Sequence, residues 1–338
     1  MKIALVRALQ LGDLLCAVPA LRALHVEYPA ARITLIGLPW AHELVGRFRR
    51  YLYDFMEFPG YPGLPERPCD PAALPEFFET IKARRYDLAI QMHGSGEIMN
   101  RVVHRMGARH SAGFYRAGRA CPDPERFVEW RDGEHEVLRY LRLVQHLGIA
   151  PQGATLEFPL ADADWHEWKA FGLERDTYVV VHPGSQLASR RWPPERFAAV
   201  ADALAGEGLK IVLTGTRGEA ALIEKVRTFM RASAVDLGGQ TSLGGLAALV
   251  ARARLVVAND TGISHIAAAV RAPSVIIASG SDARRWRPLD RQLHRVLHFD
   301  TDCRPCAHPT CPIGHPCALG VSAEQATDEA RSLIECVV

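Results

Sequence analysis

The chain has 338 residues, with 40 Lys and Arg against 38 Asp and Glu, a formal net charge of +2 and 48% hydrophobic residues. That length suits about two domains of ordinary size, and the near-neutral balance excludes the strong basic excess of a typical nucleic-acid binder. No uninterrupted apolar run approaches the roughly 18 to 20 residues of a membrane span, and eight cysteines in so long a chain do not make a secreted disulfide scaffold.

The first stretch, MKIALVRALQLGDLLCAVPALRAL, has the look of a secretory signal, but Arg7 ends its first apolar run and Gln10, Gly12 and Asp13 break the second. A signal peptide needs a continuous apolar region of about 7 to 15 residues, so a cytoplasmic location is the expectation. The pattern reads as a strand over 3–6 followed by a helix with apolar residues at 14, 18, 21 and 24. Asp13 then falls at the strand-to-helix junction, where a helix N-cap by itself accounts for it. Pro19 lies too deep for the first turn of a helix capped there, so the helix is expected to start later or to kink.

Further strands are expected over 32–37 and 87–92. The segment 47–68 reads as a basic and aromatic helix end followed by a Pro/Gly loop: a solvated face and connector, or a surface that meets a membrane or an amphiphilic substrate. Alternation weakens between about 115 and 175, with a helix over 134–148. A second strand series follows at 178–184, 209–215, 254–260 and 274–279, with helices over 193–208 and 322–335. Near-continuous apolar strands separated by helices predict an α/β, doubly wound architecture with parallel sheets. The expected domains are 1–168 and 169–338.

Two stretches in the second half carry the chemistry. In VVANDTGISHIAAAV (256–270) a buried strand ends at Asn259 and Asp260, Thr261 and Gly262 turn, and a helix of small residues begins. The exposed N–H groups and positive dipole end at such a helix start suit an anion, typically a phosphate. Asp260 can brace the turn by accepting backbone N–H bonds. His265 can donate to a phosphate oxygen or simply pack there. An aspartic protease needs two Asp side chains sharing a proton, whereas this chain has one DTG in a strand–turn–helix setting. In HPGSQLASRRWPPERFAAV (182–200), a strand ends in a Pro-Gly turn, a small-residue loop and the pair Arg190 and Arg191. This is a phosphate clamp or a surface loop with solvated arginines. Two such loops at one sheet edge favour the clamp, because open α/β sheets bind ligands there. Neither G-x-G-x-x-G nor a P-loop sequence is present, which counts against a dinucleotide dehydrogenase or a P-loop NTPase.

Together with EYPAARITLIG, YDLAIQMHG and LTGTRGE, these stretches and the opening RALQLGDLLCAVPALRAL resemble glycosyltransferase family nine, the ADP-heptose lipopolysaccharide heptosyltransferases, in family order over nearly the whole chain. The resemblance implies a GT-B fold: two Rossmann-like domains facing a cleft, an acceptor-binding N-terminal half, a nucleotide-sugar-binding C-terminal half and a last helix that crosses back. It implies inverting transfer without a catalytic metal, from an ADP-sugar to a lipid-linked glycan acceptor, by a protein without a transmembrane segment at the inner face of the inner membrane. Asp13 would be the general base. Asp260, Thr261, Gly262 and His265 would meet the donor phosphates, with Arg190 beside them. Ser185 and Gln186 would line the phosphates, and Glu219 would contact the ribose. A tension remains in this scheme, since a helix N-terminus weakens a carboxylate as a base.

The cluster CRPCAHPTCPIGHPC (303–317) places Cys303, Cys306, Cys311 and Cys317 close in sequence. It reads as a structural zinc or iron site, or as a compact Pro-rich loop with reduced thiols. No cofactor is expected for the chemistry itself. Transfer to a protein or small-molecule acceptor, and a non-catalytic nucleotide-sugar-binding relative, are the competing functions.

Overall fold

A computed structural model of the chain describes residues 1–336. The chain divides into two compact units, Met1–Ala154 and Thr155–Val338. The division falls ahead of residue 168, so the segment after Ala154 belongs with the second unit.

The first unit runs β1 (Lys2–Val6), α1 (Leu11–Glu27), β2 (Arg32–Gly37), α2 (His42–Arg47), β3 (Asp54–Glu57), α3 (Leu74–Ala83), β4 (Leu88–Gln91), α4 (Met99–Arg105), β5 (His110–Tyr115), β6 (Phe127–Glu129) and α5 (Glu136–His146). Its six strands lie in the order β3-β2-β1-β4-β5-β6, and each neighbouring pair is parallel. The central strands are apolar and buried because helices cover both faces: Ile3 to Val6 and Leu88 to Gln91 are all buried. α1 starts at Leu11, two residues before Asp13, with Gln10 as its N-cap, and it continues through Pro19. Asp13 is therefore a first-turn residue and not the cap.

The second unit runs α6 (Asp162–Ala170), β7 (Tyr178–His182), α7 (Pro194–Gly206), β8 (Lys210–Leu213), α8 (Ala220–Phe229), β9 (Ala234–Asp236), α9 (Leu243–Ala251), β10 (Leu255–Asn259), α10 (Gly262–Val270), β11 (Ser274–Ile277), α11 (Ala283–Trp286), β12 (His294–Leu297), α12 (Pro316–Leu319) and α13 (Ala323–Cys336). Its sheet has the order β12-β11-β10-β7-β8-β9, again wholly parallel. One core joins Val179, Val181, Trp192, Phe197, Leu255, Val257 and Ile277 to Ala326, Ala330 and Leu333 of α13, so α13 packs on α7, β10 and β11 of its own unit.

Counted from its own first strand, each sheet has the order 3-2-1-4-5-6 of a Rossmann-like domain. The order reverses between β1 and β4 in the first unit and between β7 and β10 in the second. Ligands of such sheets bind beyond the carboxyl ends of the strands at that reversal.

Candidate active site

In the second unit, the ends of β7 and β10 meet across the reversal. Asn259, fully buried, donates from Nδ2 to the Pro183 carbonyl at 2.7 Å and accepts at Oδ1 from the Trp192 N–H at 2.9 Å. One amide thus fixes both ends of the loop 183–192. Within that loop, Ser185 is buried and Gln186 is exposed, and the Arg191 Nε donates to the Ser185 carbonyl at 2.9 Å.

Beyond β10 the chain turns through Asp260 and Thr261 into α10. No side chain caps this helix at its N-cap Thr261, so its first amides lack the usual side-chain acceptor. Asp260 faces away from that role: its Oδ2 accepts from the Ser281 hydroxyl at 2.5 Å, and Oδ1 lies 3.3 Å from the Ser264 hydroxyl. Asp260 thereby ties the turn to the loop after β11. His265, one turn into α10, is 5% exposed and lies edge-on to Trp286, with ring centroids 6.1 Å apart.

Glu219 lies on the short turn Arg217–Glu219 after β8, where its Oε2 accepts from the Thr216 N–H at 2.8 Å and hydroxyl at 2.9 Å. Its carboxylate lies so close over Gly184 that a Cβ there would collide with it. Beside it, burial depresses the pKa of His182, against a smaller opposing pull from Glu219. The His182 Nδ1 is 3.0 Å from the Thr214 hydroxyl. The ends of β7, β8 and β10 thus gather Ser185, Glu219, Asp260, Thr261, Gly262 and His265 along one edge.

Arg190 is tied to the cysteine-rich loop. Its Nη2 donates to the Cys306 carbonyl at 3.1 Å. The same loop holds the neighbouring Ser189 from three sides. The Ser189 hydroxyl donates to the His308 carbonyl at 2.5 Å, the Ser189 N–H to the Pro309 carbonyl at 3.1 Å, and His315 Nε2 bonds the Ser189 carbonyl at 2.7 Å. Cys303, Cys306, Cys311 and Cys317 are free thiols. Among the described residues no group of three or more His, Cys, Asp or Glu side chains is arranged to hold a metal ion. The loop meets Ser189 and Arg190 through the carbonyls of Cys306, His308 and Pro309 and the ring of His315.

In the first unit, Asp13 sits in the first turn of α1 at the carboxyl end of β1. Its Oδ2 accepts from the Gln10 N–H at 3.3 Å, and its side chain is 20% exposed. Behind it lies Arg7, whose Nε donates to the Asp13 carbonyl at 2.5 Å and whose Nη2 is 3.6 Å from the Asp13 carboxylate. The same guanidinium donates to the carbonyl of Met92, just past β4, and to the Tyr140 hydroxyl. Burial opposes its charge, yet Tyr140, Asp13 and Glu136 together raise its pKa above the ordinary arginine value. His93, also past β4 and buried, has its Nε2 3.3 Å from Glu66.

Sequence reading missed Arg7 as a site residue and took it only as an interruption. It also missed Ser281, His182 and the α5 side chains. A charged residue closing an apolar strand was the available signal for Arg7. Ser281 and Glu136 act across folds of the chain and carried none. A cavity of about 610 Å³, lined by His25, His42, Arg49, Arg50 and Tyr53 among others, lies where β2 and β3 begin, at the opposite sheet edge from Asp13.

The family model described as Glycosyltransferase family 9 (heptosyltransferase) matches residues 75–316, a span that holds every donor-side residue above but begins after Asp13. Lipooligosaccharide heptosyltransferase 2 of Haemophilus ducreyi is 25% identical over 362 aligned positions, covering 99% of this chain and 100% of the relative. A glycosyl transferase family 9 structure from Veillonella parvula matches with a TM-score of 0.80 at 20% identity, covering 99% of this chain and 97% of that one. E. coli ADP-heptose lps heptosyltransferase II matches with a TM-score of 0.77 at 20% identity, covering 100% and 99%. These two structures share the two-domain α/β architecture.

Proposed function

Since the chain belongs to glycosyltransferase family 9, we propose that it moves a heptose from an ADP-sugar to a lipopolysaccharide-core acceptor, inverting the anomeric carbon without a catalytic metal. The observation that carries the donor assignment is the uncapped start of α10 beside the loop that Asn259 holds. Two backbone segments at a sheet reversal, one of them a helix N-terminus, suit a diphosphate.

In the proposed step, the acceptor hydroxyl attacks the anomeric carbon and gives its proton to the Asp13 carboxylate as the new C–O bond forms. The bond from that carbon to the phosphate oxygen breaks, and ADP leaves with the electron pair. The amides of Gly262 and Ile263, with His265, stabilise the charge that grows on the leaving diphosphate. Asp260 contributes indirectly by locking the turn through Ser281. Ser185 and Gln186 line the phosphates, Glu219 takes the ribose hydroxyls, and Arg190 adds positive charge from the side of the cysteine-rich loop. The acceptor is a lipid-linked glycan, met at the inner face of the inner membrane. Among the described residues no helix is long and apolar enough to cross a membrane.

The test is a transfer assay with ADP-heptose and a lipid-linked core acceptor, run with Asp13→Ala alongside. Loss of a general base is expected to lower kcat by about 10²- to 10⁴-fold, and undiminished turnover overturns the base assignment. ADP-heptose at a hundredfold excess over its Kd is expected to stabilise the fold by about 2.7 kcal/mol. An unchanged Tm with every ADP-sugar tried removes the donor assignment.

A further inference from the structure

Two fixed positive sources act on Asp13, the start of α1 and the Arg7 guanidinium, and both weaken a carboxylate as a base. The first unit contains a counterweight. α5 begins at Glu136, which is 1% exposed, and Arg7 is fully buried. Arg7 Nη2 lies 3.4 Å from the Glu136 Oε1. The Tyr140 hydroxyl, one turn on, accepts from Arg7 and donates to the same Glu136 oxygen. The Arg7 guanidinium lies 4.4 Å from the centroid of the Tyr140 ring. Burial above all pushes the Tyr140 pKa well up, so it stays a neutral bridge.

Glu136 is itself anchored from behind. Arg139 donates to its other oxygen and is pinned in turn by the carbonyls of Arg131 at 2.9 Å and Glu134 at 3.0 Å and by the Trp130 ring at 3.8 Å. The charged and titratable groups around this centre are Arg7, Asp13 and Cys16 near the start of α1, with Glu134, Glu136, Arg139 and Tyr140 on and before α5.

We infer that Glu136 and Tyr140 are positioning residues for the Asp13 base, acting through Arg7. Resting on the proposed role of Asp13, this assigns α5 two tasks. Tyr140 and Glu136 fix the guanidinium so that it holds the Asp13 carbonyl and the Met92 carbonyl at once, joining the two strand ends of the sheet reversal. The Glu136 charge also offsets the field of Arg7 at the Asp13 carboxylate, which leaves Asp13 ionised yet still basic. A merely structural ion pair would serve the first task and not the second.

The experiment compares pH–rate profiles of the full chain with ADP-heptose and acceptor for wild type, Glu136→Gln, Tyr140→Phe and Asp13→Asn. Glu136→Gln removes the offsetting charge, so the acid limb is expected to move down by roughly one pH unit. Its plateau kcat is expected to fall about tenfold, with the KM for the donor unchanged. Tyr140→Phe keeps every charge. It is expected to lower kcat several-fold without moving the limb. A folded Glu136→Gln protein with an unmoved limb overturns the inference. Should that variant fail to fold, Tyr140→Phe decides, and wild-type kcat there overturns it equally. If Asp13→Asn keeps full activity, the base assignment falls instead. An inactive Asp13→Asn beside an unaffected Glu136→Gln removes only the inference drawn here.

Discussion

His294 opens β12 with its ring buried and its Nδ1 2.7 Å from the Ser274 hydroxyl. Burial, reinforced by Arg271 and opposed by Asp290, lowers its pKa from 6.5 to about 4. The folded chain thus keeps the ring neutral where the unfolded chain takes up a proton. The stabilisation is complete above pH 6.5 and is lost as pH falls through the folded value near 4, about 3 kcal/mol for a shift of this size. His182, lowered by burial too, acts in the same direction. Denaturant unfolding at pH 7 and at pH 4.5 is expected to show this loss, and His294→Gln to show a smaller difference between the two. An equal difference in both proteins would remove His294 as the cause. At this scale the sequence was a partial guide. Asp260 was read as bracing its turn through backbone N–H groups, whereas its partners are the hydroxyls of Ser281 and Ser264. Asp13 was legible as a helix-start carboxylate, but the cap proved to be Gln10, because the helix takes up Leu11 and Gly12 ahead of it.

Among the elements, the strands that were legible are the central ones. β2 was expected over its observed range, and β1, β4, β7, β8, β10 and β11 within two residues at either end, since burial on both faces makes their sequences continuously apolar. β3, β6 and β9 are short and partly exposed, reading DFME, FVE and AVD. β3 lies inside the segment taken for a connector. No periodicity distinguishes such pieces from loops, and the pairing that makes them strands comes from a neighbour already in the sheet. The cysteine-rich loop was read through its thiols; its carbonyls also do structural work, accepting from Ser189 and from Arg190, 116 positions from its partner Cys306. That work predicts an effect on the donor side. Ser189 is 2% exposed, and Ser189→Ala strands the His308 carbonyl at a cost of about 1 to 3 kcal/mol. The 185–191 loop should loosen, and the donor KM should rise several-fold with less change in kcat. Initial-rate kinetics with varied ADP-heptose measure this, and an unchanged KM counts against the brace.

At the scale of the molecule, among the described residues each unit holds its own six-stranded sheet. The doubling was legible because two apolar strand series flank a charged, Trp-rich stretch. The position of the division was less so, since residues 155–168 have few apolar signals of their own and join the second unit through α6 packing on α9. A fragment of residues 155–338 is expected to unfold cooperatively and to gain thermal stability from ADP. A fragment with no cooperative transition would show that the second unit needs the first.

The last helix of the first unit, α5, ends at His146, and the first strand of the second sheet starts only at Tyr178. Every strand of the earlier sheet has therefore left the ribosome before any strand of the later one is made. Parallel pairing is slow because each contact closes a long loop, and two sheets of matching strand order in one chain invite exchange between equivalent strands. Vectorial synthesis separates them in time: domains fold as units, the N-terminal one first. The first sheet can close around Arg7 and α5 while its rival sequence is still being translated.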